Sequence, residues 1–273
     1  MEQLVEKQPA TTRQPAKIIA VCNQKGGVGK STTAVNVGAY LALSSKKTLL
    51  IDLDPQGNAT TACGIVRNSL DNNDTYAVLV NNLVPSMAIR RTALEHLEII
   101  PASLDLAGAE PYLSSADDRE IRLKTACEPL RQQYDFILFD CPPSLGLLTV
   151  NALVAADSTM IPVQCEYLAL EGLTSLMKAV ELIKQKLNPR LRLGGIVLTM
   201  TDFRANLSRE VADEVKRFFK EQVFDTAIPR NIRLAESPSF GKPICLYDPH
   251  STGALAYQLL TQEVISKESM VSA

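Results

Sequence analysis

The densest chemistry in the sequence lies in Gln24-Lys25-Gly26-Gly27-Val28-Gly29-Lys30-Ser31-Thr32-Thr33. Glycines beside a lysine and hydroxyl residues let the backbone curl until successive N–H groups face one point, and a helix starting there adds its positive end. Such a curl is a phosphate cradle. The backbone of Gly26, Gly27, Val28 and Gly29 forms the curl, Lys30 reaches β- and γ-phosphate oxygens, Ser31 ligates Mg²⁺, and Thr32 lies near the α-phosphate. The spacing is a variant of GxxxxGK[ST], because Gln24 stands where the first glycine falls and the glycines have moved next to the lysine. Lys25 is the unusual addition. It precedes Lys30 by five residues and sits outside the curl, so it cannot easily serve the same γ-phosphate but can reach one on a partner subunit.

Carboxylates follow two other apolar runs. TLLIDLD carries Asp52 and Asp54, and FILFD carries Asp140. A carboxylate at such a strand end lies close to a metal held by the phosphate loop. Asp54 is expected to orient an attacking water, Asp140 to hold the metal through a water, and Asp52 to support both, so Ser31, Asp54 and Asp140 make the expected metal environment. The catalytic set is Lys25, Lys30 and Asp54. Cys141, beside Asp140, has no basic neighbour in sequence to make it a thiolate and reads as a packed thiol. His96 and His250 have no companions for a triad or metal site.

The elements that must position these groups are legible from periodicity. Continuous apolar runs rich in β-branched residues, the mark of strands buried on both faces, occur at IIAVC after Lys17 and at 48–54, 97–102, 134–140, 158–164, 193–200 and 223–229. Helical spacing separates most of them, clearest where Leu173, Leu176, Met177, Val180, Ile183 and Leu187 share one face. The predicted fold is α/β, with three layers: a mostly parallel twisted sheet with helices on both faces and the ligand beyond the carboxyl ends of the strands. One domain is expected over 17–267, with tails at 1–16 and 268–273.

Of 273 residues, 46% are hydrophobic and 21% charged, which excludes a disordered chain. No apolar run is long enough to cross a bilayer, and the N-terminus lacks a signal-peptide core. Six cysteines without a CxxC pair point to reduced thiols in the cytoplasm. The formal net charge of −2 conceals an asymmetry: residues 178–233 hold 12 Lys+Arg against 7 Asp+Glu. Arg204, Arg230 and Arg233 fall in that basic segment, just after two apolar runs.

With KGGVGKSTT, DLDPQGNAT, FDCPPSLG, LTMTDFRANLSREV and IPRNIRLAESPSFGKPI together, the sequence resembles the deviant Walker A ATPases of the ParA/MinD group, nearest to the ParA/Soj branch that partitions chromosomes and plasmids. The resemblance implies Mg²⁺-dependent ATP hydrolysis and a homodimer with ATP sandwiched between subunits, Lys25 crossing to the opposite nucleotide as an arginine finger does in trans. It also implies that Arg204 and Arg233, with Arg230 beside them, bind double-stranded DNA without sequence preference, and that Pro229, Arg230 and Asn231 frame the adenine together with Met200 or Thr201. A centromere-binding partner of the ParB/Spo0J type and a nucleoid location follow from the same likeness. Other readings share the nucleotide motifs. A MinD-like membrane-cycling ATPase would need a basic amphipathic end, where this sequence has only Lys267 as a cation. A small-molecule ligase would have no evident use for the DFRANLSREV and IPRNIRL segments. An iron–sulfur carrier would need cysteines placed for a shared cluster.

Overall fold

The structure, a computed structural model, describes residues 14–166 and 169–270. The apolar runs become β1 (Lys17–Val21), β2 (Thr48–Asp52), β4 (Leu97–Ile100), β5 (Phe136–Asp140), β6 (Ser158–Gln164) and β7 (Arg192–Thr199), joined by a two-residue strand β3 (Arg90–Arg91). They form one sheet in the order β3-β4-β2-β5-β1-β6-β7, parallel throughout except for β3 against β4. Strand alternation divides the apolar side chains between two cores. Ile18, Ala20, Leu49, Ile51, Ile137 and Phe139 face the helices Leu147–Ala155 and Ala169–Lys186. Ile19, Val21, Leu50, Leu138 and Val197 face the helices Lys30–Leu43 and Thr252–Met270. This is the expected three-layer α/β architecture. Register then does what the site requires, because Val21 and Asp52 both lie opposite Asp140, so the last residues of β1, β2 and β5 line up along one edge.

One expected strand needs correction, and one strand was not expected. The run 223–229 is not a continuous strand: it meets the sheet at the isolated parallel bridges Ile196–Val223 and Thr201–Pro229 and through the Ile228 N–H on the Leu198 carbonyl at 2.8 Å. Between them the N–H groups of Asp225 and Thr226 donate to the Glu263 carboxylate at 2.8 and 2.9 Å, which takes this backbone out of the ladder. The added edge strand β3 is a pair of arginines with no apolar signal to announce it.

The chain limits of the domain also differ from expectation. Ala16 is already buried, and its N–H donates to the Arg131 carbonyl at 2.7 Å. At the other end, helix Thr252–Met270 passes through the expected boundary at 268 because Glu268 is buried, accepts from Ser158 Oγ at 2.8 Å and pairs with Arg192. Residues 1–13 and 271–273 of the two expected tails lie outside the described residues.

The amino end of the sheet is tied by Asp157. Its carboxylate accepts the Ile18 N–H at 2.8 Å and both terminal nitrogens of Arg131 at 3.0 and 3.1 Å, while Arg131 also donates to the carbonyls of Ala16 and Ala155. Removing one member of a half-buried, charge-assisted network strands the rest, so Arg131→Ala is expected to cost about 2 kcal/mol in urea unfolding. The folded fraction should keep its nucleotide affinity, since Arg131 lies at the end of the sheet opposite the phosphate loop.

Candidate functional site

The phosphate loop leaves β1 at a fixed angle because Asn23 staples it: Nδ2 donates to the Pro162 carbonyl at 2.7 Å and Oδ1 accepts the Lys25 N–H at 3.0 Å. Gly27 (φ 75°) and Gly29 (φ 90°) hold left-handed backbone that a side-chain-bearing residue adopts only with strain. Val28 between them is buried, and its carbonyl accepts from Thr199 Oγ1 at 2.9 Å, which pins the loop to the end of β7. The helix Lys30–Leu43 starts directly, with the Thr33 N–H donating to the Gly29 carbonyl at 2.8 Å.

Inside the curl lies the ammonium of Lys30, donating to the Lys25 carbonyl at 3.0 Å. Burial pushes its pKa below the ordinary lysine value, and the carboxylates of Asp140 and then Asp54 work against that shift. The loop's cation and the strand-end acids therefore form one electrostatic unit.

The three acids have different surroundings. Asp52 is fully satisfied: Oδ1 accepts the Asp54 N–H at 3.1 Å, and Oδ2 accepts the N–H and hydroxyl of Thr60 at 2.8 and 2.6 Å. Burial nevertheless pushes its pKa up to about 6, the Thr60 hydrogen bonds offsetting part of the rise. Asp54 Oδ1 accepts the Gln56 N–H at 2.9 Å. Asp140 is buried, and neither carboxylate oxygen has a hydrogen-bond partner among the described residues. Ser31 faces it closely enough to favour the ionised form, but the contact falls short of hydrogen-bond geometry, and burial followed by the neighbouring Asp52 raises the pKa well above the carboxylate range. An orphaned buried carboxylate is costly unless a cation or ordered water answers it. Among the described residues no group of three or more His, Cys, Asp or Glu side chains has the makings of an all-protein metal site. A hard divalent cation would thus take most of its oxygens from water and phosphate, with Ser31 and Asp140 as the protein's share, which is how Mg²⁺ is usually held.

A cavity of about 340 Å³ opens over the loop, lined by Gly26, Gly27, Gly29, Lys30, Ser31, Thr32, Asp54 and Met200 among the expected residues. Farther along the chain, Ser237, Pro238, Lys242 and Pro243 also line it. These four were not anticipated, although they stand in the segment IPRNIRLAESPSFGKPI. Asn36 brings them there: its side chain donates to the Thr32 carbonyl at 2.8 Å and accepts the Ile244 N–H at 2.8 Å. Pro229 and Arg230, expected at the adenine, instead line a second groove with Thr201, Phe203 and Arg204. Asn231 caps the helix Ile232–Glu236, accepting the Leu234 N–H and donating to Thr252. Pairing of Pro229 with Thr201 is the reason, since it carries this backbone past the edge of β7.

Lys25 stands apart from the curl. Its side chain is 46% exposed and its ammonium is 3.2 Å from Glu166 Oε2, a partner that spacing alone could not nominate. Glu166 also accepts from Gln164. Arg204 and Arg230 share the groove beyond β7, whereas Arg233 lies on the short helix after it. Two of the three have carboxylates in attendance: Asp202 forks onto Arg204 with two 2.9 Å contacts, and Glu236 and Asp248 lie 3.0 and 3.4 Å from Arg233. Cys141 is a packed thiol, as expected, with burial raising its pKa well above the ordinary value.

A parallel α/β sheet whose central strand runs into a glycine curl, an inward lysine and a helix N-terminus, with acids at the adjacent strand ends, defines the phosphate-loop nucleotide-hydrolysing class. The AAA domain family model matches residues 16–193. The chain is 54% identical to the sporulation initiation inhibitor protein Soj of Bacillus subtilis over 248 residues, 91% of this chain and 98% of that one. It is 51% identical to the chromosome partitioning protein ParA of Myxococcus xanthus over 253 residues, 93% of this chain and 89% of that one. The chain therefore belongs to the ParA/Soj family of partitioning ATPases. Among solved structures, cobyrinic acid a,c-diamide synthase from Mycobacterium smegmatis with bound ATP analogue and magnesium superposes with a TM-score of 0.82 at 36% identity, covering 93% of this chain and 96% of that one.

Proposed function

We propose that this ATPase is an ATP-dependent dimerising switch that binds DNA without sequence preference and is reset by hydrolysis during partitioning. The observation that carries the reading is Lys25: a second loop lysine, half exposed and paired with Glu166 instead of lying in the curl with Lys30, fits a nucleotide presented by another copy of the chain. In this scheme the backbone from Gly26 to Gly29 and Lys30 hold the phosphates, and Ser31 and Asp140 hold Mg²⁺, whose charge offsets that building on the phosphate oxygens. Asp54 orients the water that attacks. Lys25 from the second subunit stabilises charge on the transferred phosphate, so the site is complete only in the dimer.

Dimerisation doubles the number of arginines, Arg204, Arg230 and Arg233 from each subunit, offered to the DNA backbone. Phosphate contacts of this kind release counterions and weaken steeply with salt. DNA retention is expected with ATP and to be lost with ADP or no nucleotide. In Arg233→Ala the salt slope should fall by about 2, one lost phosphate contact for each of two subunits. Equal retention by nucleotide-free protein, measured on immobilised duplex, would break the link between dimer and DNA. A ParB/Spo0J-type partner that accelerates hydrolysis, and a nucleoid location, belong to the same proposal. Support over the ligase reading comes from the higher identity to Soj, 54% against 36% for the synthase. As to membranes, no helix among the described residues is long and apolar enough to cross one, and Lys267 is engaged internally, donating to the Glu221 carbonyl and lying over the Phe224 ring.

A further inference from the structure

The turn that carries Asp54 is held from two sides, and only the inner side belongs to the acid network already described. There Asp52 accepts the Asp54 N–H, and the Gly57 N–H closes the turn onto the Asp54 carbonyl at 2.8 Å. On the outer side lies Arg67, from the short 3-10 turn Arg67–Ser69 that follows the helix Asn58–Ala62. One terminal nitrogen donates to the Gln56 carbonyl at 2.7 Å and the other to the Pro55 carbonyl at 2.7 Å. A single guanidinium thus spans two consecutive carbonyls directly after Asp54. Its plane also rests on Gly57, where a Cβ would come within 2.7 Å of Arg67 Nε and 2.8 Å of Cζ, and where φ is +63°. Arg67 has no carboxylate partner among the described ion pairs; its hydrogen bonds go to the backbone of this turn.

Charge-assisted bonds from a planar fork fix direction as well as distance, which a lysine on the same stem cannot do. The contacts matter because the Asp54 carboxylate is oriented by the same turn, through the Gln56 N–H that Oδ1 accepts. Tilting the peptide between Pro55 and Gln56 tilts that carboxylate. We infer that Arg67 is a positioning residue for hydrolysis, clamping the Pro55–Gln56 backbone so that Asp54 faces the reacting phosphate. The inference rests on the proposed role of Asp54 in orienting water.

The test compares Arg67→Ala, Arg67→Lys and Asp54→Ala, with a double variant of Arg67→Ala and Asp54→Ala. Small misplacements of a catalytic group cost up to about 100-fold in rate, so Arg67→Ala is expected to lower kcat about 10- to 100-fold with the KM for ATP little changed. Arg67→Lys should recover only part of it, because an ammonium reaches one carbonyl at a time. The double variant should be no slower than Asp54→Ala alone. Independently of turnover, amide hydrogen exchange in nucleotide-free Arg67→Ala should quicken at Gln56 and Gly57, whose N–H groups close this turn, while the phosphate loop stays protected. If Asp54→Ala turns over normally, the reading of Asp54 fails. If Asp54→Ala is inactive but both Arg67 variants keep the native kcat and native exchange at the turn, the clamp is wrong and the reading of Asp54 stands. A loss in Arg67→Ala spread equally over kcat, KM and exchange across the whole chain, with full rescue by lysine, would also overturn it, marking Arg67 as a general stabiliser.

Discussion

Lys25→Ala should remain a single subunit in saturating ATP and Mg²⁺, and its turnover should fall about 10³-fold or more, the range for losing a cation supplied in trans to a phosphoryl transition state. The expectation follows from where the side chain lies. Its ammonium is engaged by Glu166, not by the curl that Lys30 occupies. Both members of that ion pair are nearly half exposed, and pairs of this kind contribute at most about 1 kcal/mol, a weak hold compared with a triphosphate and its metal. Lys25 can therefore be surrendered to a partner's nucleotide at little cost. Nucleotide binding by the single subunit should survive the substitution, because none of the cradle's N–H groups depends on the Lys25 side chain. Glu166→Ala is the companion measurement: it removes the competitor in cis and should leave dimerisation intact. Light scattering in the presence of ATP reads both, and a Lys25→Ala protein that dimerises normally removes the trans role.

The parts of the site that were legible in the sequence are those dictated by backbone stereochemistry. Gly27 and Gly29 must be glycine because of their φ values, so the loop could be drawn from its letters. Asp52 and Asp140 close apolar runs, and parallel register alone brought them side by side. What escaped depends on long-range folding that no spacing encodes. Gly64 and Gly241, both left-handed, approach so closely that a Cβ on either would stand 2.9 Å from the other's backbone. That approach docks the turn after Ser237 against the helix Asn58–Ala62, placing Ser237, Pro238 and Lys242 over the phosphate loop while Pro229 and Arg230 are left at the outer groove. Charge counting could not show local pairing for a related reason: the excess over 178–233 is genuine, and in the fold Asp202, Glu236 and Asp248 pair with Arg204 and Arg233. Glu166 and Arg67 act on partners 141 and 11 residues away, through contacts that periodicity cannot predict.

Asp54→Ala should bind ATP, dimerise and hold DNA, yet hydrolyse ATP about 10²- to 10⁴-fold more slowly, the range for removing a positioned general base or water-orienting carboxylate. Binding should persist because Lys30, the loop backbone and Ser31 keep their own supports: Thr199 on the Val28 carbonyl, Asn23 on the Lys25 N–H and the helix start at Thr33. Hydrolysis should not, because Asp54 lines the cavity with one carboxylate oxygen committed to the Gln56 N–H while the other accepts no hydrogen bond from any described residue. That second oxygen is the one available to a water. Asp54→Asn preserves the shape but not the charge and should be nearly as slow. Both variants should stay on DNA longer than the native protein after free ATP is removed, since release depends on the chemical step. Rapid release from DNA by a variant shown to be hydrolysis-dead would mean that hydrolysis is not what resets the switch, whatever the rate of phosphate production.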